Sequence, residues 1–197
     1  MSDLPRLIGI AGKKGSGKDT LGAHLVKEYG YVRYAFADKL KEAVVALDPL
    51  IVGPATKYQI KSLKTLWREG ESAVELLDRL KNDHPEARRL MQAMGNEVGQ
   101  GIFGEYFWID LVLTRIKFAS TAFACITDVR FPHEAESIRR AGGTIIRIQR
   151  SSTDDHGDNH ASEVMVDKVK YDCHVLNDGT TDEFLIDAVG ELRDLGR

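Results

Sequence analysis

The chain has 197 residues, enough to bury a full core within one domain of ordinary size, and its apolar and charged fractions, 43% and 29%, are those of a globular protein. A net charge of -3 gives no reason for a broad polyanion-binding surface, so no stable nucleic-acid partner is expected, and no apolar run is long enough to span a membrane. Two distant cysteines outside any CxxC pair, Cys125 and Cys173, read as buried strand thiols of a reducing compartment, and with no signal-like N-terminus the expected location is the cytoplasm.

The apolar run Leu7 to Ala11 reads as a strand, and helical apolar spacing resumes at Leu21, Leu25, Val26 and Tyr29. Between them lies Gly12-Lys13-Lys14-Gly15-Ser16-Gly17-Lys18-Asp19-Thr20, which has the composition and the strand-to-helix setting of a phosphate-binding loop. Its glycines permit a backbone path that turns successive N–H groups onto one anion, the helix adds its positive end, and Lys18 adds a mobile cation. The residue after Lys18 is Asp19, with Thr20 one place later, where a hydroxyl usually follows the lysine directly. That departure leaves the magnesium ligand open, while the phosphate cradle itself is intact.

Tyr31 to Phe36 reads as a second strand, followed by a helix from Ala37 to Leu47 that Pro49 stops. Asp38 and Lys41 fall just past a strand's carboxyl end, where parallel sheets collect ligands, although Asp38 could equally cap the helix. Leu50 to Thr56 reads as a loop. From Tyr58 to Ser120 the apolar spacing is helical, with breaks near Gly70, at residues 82–85 and around residues 99–101, and no strand is expected there. Its length exceeds what a simple crossover needs, so residues 57–120 are expected to hold a helical insertion that closes over a ligand. Arg88 and Gln92, four apart, share a helix face suited to a phosphate and a base edge; Arg89, Gln92 and Asn96 make a rival grouping, and a solvated face would explain either. Phe103 to Trp108 is an aromatic cluster expected in the core, with one ring also able to stack on a base.

Phe123 to Thr127 is a buried strand that delivers Asp128 and Arg130 to the ligand edge, and Pro132 opens a helix that Gly142-Gly143 ends. Thr144 to Arg150 is the next strand; regular pleating puts Arg147 and Arg150 on opposite sides. The polar segment 151–167, with His156, His160 and Glu163, reads as a mobile lid, since its histidines lack an ordered ligand framework for a metal. A short strand from His174 to Leu176, the turn Asn177-Asp178-Gly179, and an amphipathic helix from Thr181 to Leu195 close the chain. The expected architecture is α/β: a single three-layer P-loop kinase domain over 1–197, with a five-stranded, mostly parallel sheet, a helical acceptor-binding insertion and a short lid. No Asn-Lys-x-Asp guanine-reading sequence is present, which argues against a GTP switch.

The ordered set of motifs resembles the bacteriophage-type deoxynucleoside monophosphate kinases. It comprises Gly12 to Thr20, Phe36 to Lys41, Arg88 with Gln92 to Glu97, Phe107-Trp108, Asp128 to Phe131, His160 to Glu163 and Asn177 to Gly179. Animal-type phosphomevalonate kinases are similar in the Gly-Lys-Asp ending of the loop, the Asp-x-Arg and the Ser-Glu of the lid, and stay a competitor, as does dephospho-CoA kinase activity. A non-enzymatic ATP-binding regulator and a nucleic-acid end kinase are the readings from other classes. The chain departs from the family's pattern at Gln100, where an arginine is usual, which shifts acceptor binding toward Arg88 or Arg115.

The resemblance implies transfer of the γ-phosphoryl group of ATP, with Mg2+, to a deoxynucleoside monophosphate. Gly12, Lys14, Gly15, Ser16, Gly17, Lys18, Asp19 and Thr20 would hold the donor, with Asp19 or Thr20 contacting magnesium directly or through water and Asn177 near adenine. Asp38, Lys41, Arg88, Gln92, Trp108, Asp128 and Arg130 would hold the acceptor, and His160, Ser162 and Glu163 would shape the lid. Lys18, Arg130 and Arg150 would serve the transfer itself. The helices between Tyr58 and Ser120 offer enough apolar surface for a homodimer.

Overall fold

A computed structural model of the chain describes residues 3–52, 60–119, 123–154 and 165–196. In chain order its strands are β1 (Leu7–Ala11), β2 (Val32–Tyr34), β3 (Leu50–Val52), β4 (Ile60–Ser62), β5 (Ala124–Val129), β6 (Thr144–Gln149) and β7 (Cys173–Leu176). The α-helices are α1 (Lys18–Tyr29), α2 (Phe36–Leu47), α3 (Ala73–Asp83), α4 (Pro85–Ala93), α5 (Phe107–Phe118), α6 (Pro132–Arg140), the single turn α7 (Ser151–Asp154) and α8 (Thr181–Leu195). Two compact units result, one from Met1–Ala35 with Val112–Arg197, the other from Phe36–Leu111.

The first unit is a five-stranded sheet in the order β2-β5-β1-β6-β7, with every pairing parallel. All five residues of β1 are buried, because a central parallel strand is covered on both faces and reads as an unbroken apolar run. Alternation then sorts its side chains. Ile8 and Ile10 join Leu21 and Leu25 of α1 and Phe184, Ala188, Val189 and Leu192 of α8 in one core. Gly9 points the other way, where a Cβ would meet Ile138 of α6 at 2.8 Å, so α6 covers the opposite face. Cys125 and Cys173 are buried free thiols in β5 and β7, and burial pushes the Cys125 thiol up to about 11.

The second unit packs α2, α3 and α4 around Val44, Val45, Ile51, Leu63, Leu76, Leu77, Leu80 and Ala87. Ser72 caps α3 in a reciprocal box with Glu75, and Pro85 opens α4 directly after α3 ends. Arg79 grips both oxygens of Glu71 at 2.8 Å and the Leu66 carbonyl, fastening the segment ahead of α3 to the helix.

Three expectations are corrected here. Leu50–Val52 is not a loop: it pairs antiparallel with Ile60–Ser62, which puts a strand inside the mostly helical stretch where none is expected. Three-residue strands carry too few alternations to register as a pattern, and this hairpin is held by Asp48, whose carboxylate accepts from Ser62 Oγ at 2.6 Å and Lys64 N at 2.8 Å. The chain is also not broken at residues 99–101, since a π-helix runs through Met94–Phe103 and the stop falls at Gly104, with φ 105. Gly99 is required there by close approach, because a Cβ would lie 2.1 Å from the Trp108 indole nitrogen. The aromatic cluster, finally, is core only in part: Phe103 is 62% exposed and Tyr106 is exposed too, while Phe107 and Trp108 are half-buried, with Phe103 stacked on Phe107 at 4.7 Å between centroids.

Leu77 has no exposed surface, so Leu77→Ala should destabilise the protein by about 2–5 kcal/mol in urea unfolding. A loss below about 1 kcal/mol would show that the core of the second unit is not built on this helix face.

Candidate functional site

Because the sheet of the first unit is wholly parallel, the carboxyl ends of β1, β5, β6 and β7 share one edge. The predicted donor loop leaves β1 there, Asp128 and Arg130 lie at the end of β5, Arg150 follows β6, and Asn177 follows β7. Four separate sequence signals are thus drawn together by topology alone.

The loop has the backbone its glycines predict. Gly15 and Gly17 have φ of 80 and 111, and a Cβ on Gly12 would fall 2.4 Å from the Ile148 carbonyl oxygen. Ser16 N–H donates to the Lys13 carbonyl at 3.2 Å, and the Lys18 ammonium folds back onto the same carbonyl. Gly17 starts α1 without a side-chain cap, so the first N–H groups of the helix lack a partner from that residue's side chain. Ser16 Oγ is fully buried with no hydrogen-bond partner among the described residues. A cradle with no room for a Cβ, a buried lysine and a helix N-terminus fits a polyphosphate. Asp19 and Thr20 stand exposed in the first turn of α1, an acidic and a hydroxyl oxygen of the kind magnesium takes. Lys14 is also exposed on the loop.

Sequence reasoning missed three carboxylates at this edge. Asp167 pairs with Arg147 at 2.5 Å and with Lys13 of the loop at 3.5 Å. The Arg147 guanidinium also lies 5.8 Å from the Tyr171 ring centre, so Arg147 is occupied within the unit. Asp178 accepts from Ser151 N at 2.8 Å and Ser151 Oγ at 2.6 Å, fixing the chain immediately after Arg150. Glu134 is buried, and its Oε2 accepts the N–H groups of Arg130 at 2.7 Å and Phe131 at 2.9 Å. Its position two residues after Pro132, in the first turn of α6, is legible as a helix start; its burial is not.

In the second unit, Asp38 lies in the first turn of α2 and is not its N-cap, because the helix begins at Phe36. Lys41 sits between carboxylates, 2.8 Å from Asp78 and 3.9 Å from Asp38, and Asp78 in turn holds Lys81 at 2.6 Å. Arg88 Nε donates to the Lys81 carbonyl at 3.3 Å, which links the predicted acceptor residues of α2 and α4 through α3. Gln92 is exposed on α4, while Arg89 of the rival grouping is paired with Glu86. The Trp108 indole donates to the Gly95 carbonyl at 3.2 Å. His160, Ser162 and Glu163 of the expected lid lie outside the described residues.

A glycine loop between the central strand of a parallel sheet and a helix, backed by a buried lysine, defines a P-loop nucleotide-binding fold. A gluconokinase from Sinorhizobium meliloti 1021 shares that fold with a TM-score of 0.50, at 15% identity and covering 98% of this chain and 94% of its own. The family model for deoxynucleotide monophosphate kinase matches residues 57–187. A putative deoxynucleotide monophosphate kinase of Acanthamoeba polyphaga mimivirus is 33% identical over 185 residues, covering 90% of this chain and 91% of that protein. The deoxynucleotide monophosphate kinase of Enterobacteria phage T4 is 24% identical over 90% of this chain and 95% of its own. The chain belongs to the deoxynucleotide monophosphate kinase family, and it is an enzyme.

The Glu134 carboxyl is pushed up to about 8, mainly by burial and then by the Asp128 carboxylate, against the pull of the two N–H groups and the Arg130 charge. Its folded value thus exceeds its unfolded value. The folded state binds the extra proton between those values, and stability should fall as pH rises from about 5 to about 8, by at most about 1.4 kcal/mol per pH unit. Glu134→Gln should remove this part of the slope in urea unfolding followed across pH; an unaltered slope would exclude Glu134 as its source.

Proposed function

We propose that this kinase transfers the γ-phosphoryl group of ATP to the 5'-phosphate of a deoxynucleoside monophosphate, giving the diphosphate and ADP. The reading rests above all on the loop Gly12 to Thr20 at the carboxyl edge of a wholly parallel sheet, taken with the family to which the chain belongs. Such transfer asks little covalent chemistry of a protein: two anions must be held in line and the charge developing between them neutralised. The viral relatives support action in the cytoplasm, that of a host if the gene is carried by a phage.

In this reading the backbone of Gly12, Gly15, Ser16 and Gly17 wraps the outer phosphates of the donor, and Lys18 leaves the Lys13 carbonyl to meet them, with Lys14 at the rim. Asp19 and Thr20 would hold magnesium, directly or through water, and the ion would supply charge that neutralises the phosphates during transfer. Arg130 and Arg88 bind the acceptor phosphate through their planar guanidinium groups. Asp38, Gln92 and Trp108 take the sugar or base, with Asp128 beside Arg130. Lys41 brings a charge already balanced by Asp38 and Asp78, so it contributes orientation rather than net positive potential. Arg150 serves the transferring group, Arg147 being tied to Asp167. His160 and Glu163 act from the lid segment.

Lys18→Ala should remove at least ~2 kcal/mol of transition-state stabilisation, the loss of one preorganised charged contact. Turnover equal to wild type would refute the loop assignment. Arg130→Ala should raise KM for the acceptor and leave KM for ATP unchanged; the reverse pattern would move the end of β5 to the donor side. The function itself is tested by coupled ADP release over the deoxynucleoside monophosphates, their ribose counterparts, phosphomevalonate and dephospho-CoA. Activity confined to either of the last two would overturn the proposal.

A further inference from the structure

Asn177 is 8% exposed at the carboxyl end of β7, and it makes two contacts of different kinds. Its backbone N–H donates to the Gln149 carbonyl at 2.8 Å, extending the β6–β7 ladder by one rung. Its side-chain Nδ2 donates to the Ser16 carbonyl at 2.8 Å, across 161 positions of sequence, and so reaches into the phosphate loop. The fit is close, since a Cβ on Gly17 would lie 2.4 Å from that same nitrogen and 3.4 Å from the Phe184 ring. The turn that carries Asn177 is itself anchored: Asp178 holds Ser151, and a Cβ on Gly179 would lie 2.7 Å from Glu183, the residue that completes the cap of α8.

A trans peptide directs its C=O and N–H to opposite sides, and no peptide bond among the described residues is cis. Pinning the Ser16 carbonyl on Asn177 therefore aims the Gly17 N–H the opposite way. That N–H is the last in the loop before the Lys18 N–H that opens α1. With φ 111 at Gly17, the chain has no rotational preference of its own that would hold this orientation against the glycine's freedom.

We infer that Asn177 is a positioning residue for the phosphate loop, acting on the polyphosphate of the donor through the Ser16–Gly17 peptide and not through the donor's base. The inference rests on the loop being the donor site. It differs from an adenine contact in a measurable way: an amide that reads the base affects only nucleotides carrying that base, whereas an amide that sets a loop peptide affects every polyphosphate alike.

The test measures binding of ATP, GTP and inorganic tripolyphosphate to wild type, Asn177→Ala and Asn177→Asp, together with steady-state KM for donor and acceptor. The aspartate has the shape of asparagine but turns an acceptor oxygen toward the Ser16 carbonyl. All three ligands should weaken together in both variants, by roughly tenfold, the scale of one buried hydrogen bond, with donor KM raised and acceptor KM unchanged. Loss confined to ATP, or no loss in either variant, overturns the inference. If the alanine variant fails to fold, Asn177→Leu, of similar shape but neutral and without a donor, carries the decision after a check by thermal unfolding without ligand, because the charge of the aspartate would by itself repel every polyphosphate. Lys18→Ala separates the two levels. If wild type binds tripolyphosphate and Lys18→Ala does not, while both Asn177 variants bind like wild type, the loop assignment stands and the inference falls. If Lys18→Ala binds tripolyphosphate like wild type, both fall.

Discussion

The constraint on which the first unit depends is the parallel pairing of β1 on both of its edges. Parallel strands cannot be joined by tight turns, so each must be reached by a crossover, and the chain segments that leave them all depart from the same edge. With β5 and β6 as its neighbours, β1 places its glycine loop beside the turns that follow those strands. Covering the sheet with α1 and α8 on one face and α6 on the other buries β1 entirely and leaves that edge for chemistry.

Carboxylates do much of the remaining positioning at this edge, in three different electrostatic settings. Asp167 stands between two cations, Lys13 and Arg147, and compensates charge in the loop's own neighbourhood. Asp178 binds neutral donors of Ser151 and fixes the chain after β6. Glu134 is buried under the turn after β5, where burial and the Asp128 carboxylate oppose its ionisation. A carboxyl held against its ionisation costs stability at high pH, and here it sets the backbone of Arg130. Functional turns commonly carry such costs, offset by the packing around them.

The second unit follows another logic. Its helices are shaped by an apolar stripe and by local devices such as the Ser72 box, Pro85 and the Arg79 clasp on Glu71. The chain of contacts Lys41–Asp78–Lys81–Arg88 gives the proposed acceptor residues of α2 and α4 a shared mechanical link. Gly99 serves here for a steric reason distinct from the phosphate loop: it makes room for an indole, and the chain passes it in a π-helix rather than stopping.

The sequence alone determined the features whose cause lies within a few residues. The phosphate loop could be read because its glycines, lysine and flanking elements are contiguous. The buried strands β1 and β5, the break at Pro85 and the last helix from Thr181 to Leu195 could be read because periodicity and capping act over one or two turns. Tertiary structure alone decided the strand order, the hairpin of Leu50–Val52 with Ile60–Ser62, the occupation of Arg147 by Asp167 and of Lys41 by Asp78, and the burial of Glu134. It also decided that Asn177 hydrogen-bonds Ser16. Each of these joins groups that local pattern leaves unpaired, and a residue's type states what it can bond but not which distant partner the folded chain will bring to it.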